Sequence, residues 1–479
     1  MIIKKNQTDS IQFGEGNFMR GFVDYCIQLL NEETGFKGKV DVIQPIKEGM
    51  IEHLRKQDGQ YHVFAEGVSK GKKVRSKHLI TCLDELINPY EDYEGFLKLA
   101  ENKNLAFIFS NTTEAGIKLD ASDLKIDRPP NSFPAKLLLL LKHRYEKFNG
   151  DSNKVLHIIP CELIEKNGDR LKEILVEISN NWGLEDDFKL WLKNNHFYNS
   201  LVDRIVPGYP KNNLDYYKQN LLFDDKLMLT CEPFFLWVIE GSPELLKVFP
   251  ANQLKNIKVT VVPDLGIYRT RKVRILNGSH TSLVPIGLLK NITTVSGALN
   301  DDFLKSFITE TLFEEIIPSI DFDEDELKSY ATSVLERFTN PFIVHQLESI
   351  ALNCISKFKV RVLPSICSYI EKKGKAPKNL SFALAALIYF YGKDVSQRSY
   401  KLKDDLKNIE FFKALWRESS LEKITEKTLS NSMLWDQNLS VIKPLRTSVS
   451  FALAAIHSQK KIDDAYYLFK KKLAHEQSH

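Results

Sequence analysis

The chain has 479 residues, of which 43% are hydrophobic and 27% charged. This is the balance of soluble globular domains, and at ~150 residues per domain it allows two or three. Disordered and fibrous chains are excluded, and a core of this size folds without disulfide staples. Basic residues number 66 and acidic residues 62, a formal net charge of +4. No electrostatic footprint for nucleic acid or an anionic membrane stands out, so an acidic substrate has to be met locally.

Six cysteines, Cys26, Cys82, Cys161, Cys231, Cys354 and Cys367, are scattered with no C-x-x-C pair, which predicts unreactive thiols and no metal site. The first residues, Met-Ile-Ile-Lys-Lys-Asn, lack a long apolar run, and the longest apolar stretch, 382–391, is about half a membrane span. The expectation is a cytoplasmic protein with no membrane partner.

In chain order, β-branched runs predict strands at 10–13, 40–43, 79–82, 106–109, 155–160 and 258–262, with amphipathic stretches between several of them. That alternation predicts an α/β domain, a mostly parallel sheet with helices on both faces. From about Tyr268 the apolar period becomes helical. Helices are expected at 272–289, 302–316, 325–338, 344–358, 380–391 and 448–456, and the second domain is expected to be all-helical. The division is placed at 1–264 and 265–479.

The run Ile11-Gln12-Phe13-Gly14-Glu15-Gly16-Asn17-Phe18-Met19-Arg20 passes from an apolar strand through two glycines into a helix. Glycines let backbone approach a pyrophosphate, and free amides at a helix N-terminus meet its charge, with Arg20 available as a cation. The third glycine of G-x-G-x-x-G is missing, Met19 standing there, so a plain strand-to-helix turn competes evenly. After the second strand, where a carboxylate ordinarily takes the adenosine ribose, the chain reads Ile43-Gln44-Pro45-Ile46-Lys47-Glu48. NAD against NADP is therefore open at this point. The polar stretch Ser110-Asn111-Thr112-Thr113-Glu114-Ala115-Gly116 follows the 106–109 strand and lies where open α/β sheets bind ligands, although a capped helix start explains it equally well.

The most informative stretch is Tyr268-Arg269-Thr270-Arg271-Lys272-Val273-Arg274-Ile275-Leu276-Asn277-Gly278-Ser279-His280. At ~100° per residue, with Lys272 at zero, Arg269 falls near 60°, His280 near 80° and Asn277 near 140°. A lysine in a cleft is a usable proton donor, an asparagine amide can hold an oxygen gaining charge, and a histidine can orient either. A solvated basic helix face is the competing reading. Tyr268 and Lys272 also form Tyr-x-x-x-Lys, taken here as coincidence.

Together these stretches resemble the polyol-specific long-chain dehydrogenases, the mannitol dehydrogenase family. Gly14, Gly16, Phe18 and Arg20 match its G-x-G-x-[FH]-x-R turn. Val202-Asp203-Arg204-Ile205-Val206-Pro207 matches a second pattern, and Lys272, Asn277 and His280 match its Lys-x4-Asn-x2-His pattern. The resemblance implies a Rossmann-type domain followed by a helical substrate domain, NAD as cofactor, and a metal-independent reaction with Lys272 as general acid. It implies Asn277 and Asn167 as polarising groups and His280 as the fourth catalytic residue. Gly14, Gly16, Asn17, Phe18, Arg20, Ser110, Asn111, Thr112 and Glu114 become the cofactor contacts.

Three stretches, around Gly14, Ser110 and Pro160-Cys161-Glu162-Leu163-Ile164-Glu165-Lys166-Asn167-Gly168, resemble the branch of the family that reduces sugar acids. This implies interconversion of D-tagaturonate and D-altronate in hexuronate catabolism. Arg269, Lys357 and Arg361 are the expected carboxylate contacts, and Asp203 with Arg204 is an expected structural ion pair. Leu163 stands where the mannitol enzymes carry an asparagine. Fructuronate or mannitol 1-phosphate reduction is the rival within the same chemistry, and a nucleotide-sensing binding protein the rival from another class. The Cys/His ligands of a zinc alcohol dehydrogenase are lacking.

Overall fold

A computed structural model describes residues 8–69, 71–112, 116–120, 123, 128–392 and 400–476. The chain forms two compact units. One comprises the chain up to Gly67 together with Lys73–Gly266, and the other Val68–Lys72 with Ile267–His479.

The first unit carries strands β1 (Thr8–Phe13), β2 (Gly38–Ile43), β3 (Tyr61–Ser69), β4 (Lys72–Ile80), β5 (Leu83–Ile87), β6 (Leu105–Ser110), β7 (His157–Pro160), β8 (His196–Phe197), β9 (Ser200–Asp203), β10 (Leu229–Cys231), β11 (Leu236–Glu240) and β12 (Lys258–Val262). Six of them form one parallel sheet in the order β5-β2-β1-β6-β7-β8. The order reverses between β1 and β6, which is the doubly wound arrangement with a switch point at that pair. Two three-stranded sheets, β10-β3-β4 and β12-β11-β9, complete the unit.

Alternation explains why this sheet is covered on both faces. Ile11, Phe13, Ile43, Ile108 and Ile158 enter one core with the helices Phe133–Lys147 and Asn167–Asn181. Val40, Val42, Phe107, Phe109 and Ile159 enter the other, with the helix Asn17–Glu33 and residues of both smaller sheets such as Tyr61 and Trp237. The expected α/β architecture, a parallel sheet followed by a largely helical region, is what forms. Arg204 is a buried clamp inside this unit: Nε donates to Glu232 O at 2.9 Å, one terminal nitrogen donates to Gly21 O at 2.7 Å, and the guanidinium lies 4.2 Å from the Tyr25 ring centroid.

Two strand expectations need correction. The 79–82 stretch is the junction between β4 and β5, because Cys82 O accepts from Val40 N at 2.9 Å while the chain turns there. Lys258–Val262 is a strand but pairs with β11, outside the main sheet.

The second unit is built of helices, including Asp302–Glu310, Glu324–Phe338, Cys354–Arg361, Lys378–Gly392 and Lys443–Ser458. The helix expected over 344–358 is split into Leu347–Ala351 and Cys354–Arg361, since Asn353 adopts a left-handed φ of 53°. The apolar helix Lys378–Gly392 is buried nearly all round. Among the described residues no helix is long and apolar enough to cross a membrane. Glu315, 4% exposed, accepts the first amides of that helix, Asn379 N at 2.7 Å and Leu380 N at 2.8 Å.

Burial pushes the Glu315 carboxyl up to about 7. A carboxyl whose folded value lies above its unfolded one contributes stability at low pH and loses it as pH rises through the folded value. Replacing Glu315 with Gln is therefore expected to shift the comparison with pH. The melting temperature of Glu315→Gln relative to wild type rises between pH 4.5 and pH 8. A difference that stays constant across that window contradicts the assignment.

Candidate functional site

The first cluster lies at the carboxyl ends of β1, β2, β6 and β7. Gly14 follows β1 with a φ of +112°, and a Cβ there would stand 2.8 Å from Asn111 O. Two crossing chains leave no room for a side chain: Gly14 N donates to Ile43 O and Asn111 N donates to Phe13 O, both at 3.1 Å. Gly16 is exposed and precedes the helix Asn17–Glu33; a Cβ there meets nothing within 4 Å. No side chain caps this helix, and its first turn carries no acidic residue. Open amides at a positive helix end, above a glycine that only close backbone approach explains, fit a pyrophosphate. Gly14, Gly16, Asn17 and Phe18 are the residues that would hold it.

Arg20 lies beneath this turn and does not reach into it. Its Nε donates to Glu15 O at 3.2 Å, and its terminal nitrogens donate to Leu227 O and Asn17 Oδ1, both at 2.7 Å. The expected phosphate cation is thus a strut that sets Asn17. Glu15, which sequence reading passed over, is buried and accepts from Met50 N at 3.0 Å, tying the glycine turn to the loop after β2. That loop is closed by Gln44, whose Nε2 donates to Ile46 O at 3.0 Å and Lys47 O at 2.9 Å. Lys47 and Glu48 are exposed beside it.

Ser110 ends β6 and Asn111 and Thr112 follow it, whereas Glu114 lies outside the described residues. Asn111 Nδ2 donates to Cys161 O at 2.7 Å. Ser110 and Thr112 are fixed by Glu162, another side chain to which sequence reading assigned no role. Asn167 is 1% exposed. Its Nδ2 donates to Pro160 O, Glu162 O and Ser200 O at 3.0–3.1 Å, while its Oδ1 accepts from Gly168 N and Ser200 N. An amide so committed has no N–H left to polarise a substrate ketone. The expectation for Asn167 is corrected to a clamp that joins the ends of β7 and β9.

The second cluster belongs to the helical unit. Lys272, Asn277 and His280 lie on one continuous helical run, Gly266–Arg271, Lys272–Asn277 and Gly278–Leu289. Its middle segment is a π-helix, in which Gly278 N–H reaches back to Val273 O. In a π-turn residues five apart lie one turn above each other. Asn277 therefore comes over Lys272, closer than a uniform α-helical spacing places it. Lys272 and Asn277 are half-buried and His280 is buried. The His280 ring stacks on Phe338 with centroids 4.0 Å apart and meets His345 edge-on at 5.1 Å.

Burial, helped by the Lys357 cation, lowers the pKa of His345, a residue that no motif in the sequence marks. Lys357 Nζ donates to Ile350 O at 2.9 Å. Arg361 is brought against the Gly266–Leu289 helical run by close packing, since a Cβ on Gly278 would stand 2.9 Å from Arg361 O. Arg269 is half-buried one turn before Lys272. Arg271 points elsewhere, 4.9 Å from the Tyr268 ring centroid and 4.4 Å from that of Tyr330. Arg274 is bound to Ser365 and Ser319. Among the described residues no cluster of three His, Cys, Asp or Glu side chains is arranged to hold a metal ion.

Two family models cover most of the chain: the mannitol dehydrogenase Rossmann domain over residues 8–248 and the mannitol dehydrogenase C-terminal domain over residues 264–457. The chain belongs to the mannitol dehydrogenase family, as the motifs implied. It is 42% identical to a protein of Yersinia enterocolitica named altronate oxidoreductase, over 93% of this chain and 94% of that one. A Bacillus subtilis protein of the same name is also 42% identical, over 93% and 92% of the two chains. The fold is similar to Pseudomonas fluorescens mannitol 2-dehydrogenase, solved with NAD and D-mannitol, at a TM-score of 0.68, 20% identity and coverage of 99% and 96%. A D-sorbitol dehydrogenase in substrate-free form gives a TM-score of 0.79, at 20% identity and coverage of 97% and 96%.

The two glycines are predicted to respond differently to alanine. Gly14→Ala forces a strained backbone against Asn111 O and should cost about 1–3 kcal/mol in denaturant unfolding. Gly16→Ala, with its extended backbone and open surroundings, should stay within about 0.5 kcal/mol of wild type. Equal losses would contradict the geometry described for the turn.

Proposed function

We propose that this chain is an NAD-linked oxidoreductase that interconverts D-tagaturonate and D-altronate. The observation that carries the reading is the π-turn that brings Asn277 over Lys272 on the face from which His280 also projects. The names of the relatives at 42% identity support the substrate class, and the open amides above Gly14 support a dinucleotide.

The nicotinamide, when bound, supplies the hydride that reduces the ketone carbon. Lys272 Nζ gives its proton to the ketone oxygen as charge develops there, so that a C–H and an O–H bond replace the carbonyl π bond. Asn277 donates an amide hydrogen bond to the same oxygen, and this bond strengthens as the oxygen becomes an alkoxide. His280, held flat against Phe338, orients the hydroxyl groups flanking the ketone. Arg269 pairs with the carboxylate that distinguishes a uronate from a polyol, a planar fork meeting a planar anion. Lys357 and Arg361 add positive charge on the same unit. In the oxidative direction Lys272 returns as the base.

Turnover and cofactor affinity are expected to separate. Lys272→Ala should lower kcat for tagaturonate reduction by 10²-fold or more, the range for a general acid, with the dissociation constant for NADH unchanged. A panel of D-tagaturonate, D-fructuronate, D-fructose and mannitol 1-phosphate with NADH and NADPH checks the substrate. Full activity of Lys272→Ala, or a preference for the uncharged ketose, contradicts the proposal.

A further inference from the structure

One buried carboxylate has no part in the chemistry above. Glu162 follows β7 and is 2% exposed. Its Oε2 accepts from Ser110 Oγ at 3.0 Å, and its Oε1 accepts from Thr112 N at 3.0 Å and Thr112 Oγ1 at 3.1 Å. The donors are all neutral, and among the described residues no lysine, arginine or histidine pairs with it. Burial raises its pKa, and these donors offset only part of that rise. Three donors converge on this carboxyl, and hydrogen bonding of that kind favours its charged form.

The position of this anion follows from topology. A doubly wound sheet binds a dinucleotide as two halves about its switch point, with the adenosine ribose at the end of β2. The nicotinamide half then falls to the β6–β7 side, where Glu162 fixes Ser110 and Thr112. The oxidised nicotinamide ring carries a positive charge and the reduced ring none. An uncompensated anion in a water-poor surrounding discriminates between them over several ångströms.

We propose that Glu162 is a positioning residue whose buried negative charge favours the oxidised over the reduced cofactor. The ring becomes cationic as it releases hydride, so the same charge promotes transfer to the ketone. The inference rests on the reading that this unit binds a nicotinamide dinucleotide.

The test is equilibrium binding of NAD+ and of NADH to the full chain by calorimetry, with thermal melting to confirm folding. Glu162→Gln keeps an oxygen acceptor for Thr112 and offers an amide to Ser110 Oγ, while removing the charge. It should weaken NAD+ roughly tenfold more than NADH. Glu162→Asp, which keeps the charge, should return the ratio of the two dissociation constants toward wild type even if both rise. Equal weakening of both nucleotides by Glu162→Gln, as a purely structural role requires, overturns the proposal. If the glutamine variant does not fold, Glu162→Asp against Glu162→Asn gives the same comparison: a selective loss of NAD+ affinity in the asparagine variant supports the proposal, and an equal loss of both nucleotides overturns it. A wild-type chain that binds neither nucleotide overturns the cofactor reading itself, a distinct result.

Discussion

Irregular backbone that is shut away from water must find hydrogen-bond partners, and at the carboxyl ends of β1, β2, β6 and β7 buried side chains provide them. Glu15 takes Met50 N, Gln44 closes its own loop, Glu162 takes Thr112 N, and Asn167 bridges Pro160, Glu162 and Ser200. The surface that fits a dinucleotide is therefore a set of loops held from beneath by polar side chains. Where one such side chain satisfies several backbone groups, as Asn167 does, removing it strands its partners and costs more than the bonds alone. This also explains why Arg20 and Asn167, which sequence motifs mark as functional, turn out to be structural supports one layer below the exposed amides.

Much of the fold is legible in the chain because apolar alternation is a local property. The runs at Val40, Ala106 and Val155 each feed two opposite cores, the run at Ser10 feeds one through Ile11 and Phe13, and all four lie within β1, β2, β6 and β7 or at their edges. The strands β3 and β9 to β11 are less legible. Tyr61–Ser69 is buried along most of its length, so it shows no alternation of burial, and β9 and β10 are short. The break at Asn353 is hidden because an asparagine in a left-handed conformation has no distinctive spacing.

The candidate site is legible where residue type alone carries the chemistry. Lys272, Asn277 and His280 are found by spacing, but their true relation is not, because a uniform rotation of about 100° per residue holds only for an α-helix. The π-turn from Lys272 to Asn277 changes the rotation between the two residues to which the proposal gives the reacting oxygen. Glu162 and His345 are illegible for a different reason. A buried carboxylate acts through the donors that surround it, and Ser110 and Thr112 lie some 50 residues away in sequence. His345 meets His280 through a ring contact that no spacing in the sequence marks.

In the proposed reaction the amine of Lys272 is the proton partner of the reacting oxygen. A crystal structure of the chain with NAD+ and D-altronate tests it most directly. Lys272 Nζ is expected within about 3.2 Å of the altronate hydroxyl that is oxidised, with Asn277 Nδ2 donating to the same oxygen. Lys272 turned to bulk solvent, with another group in that place, would contradict it.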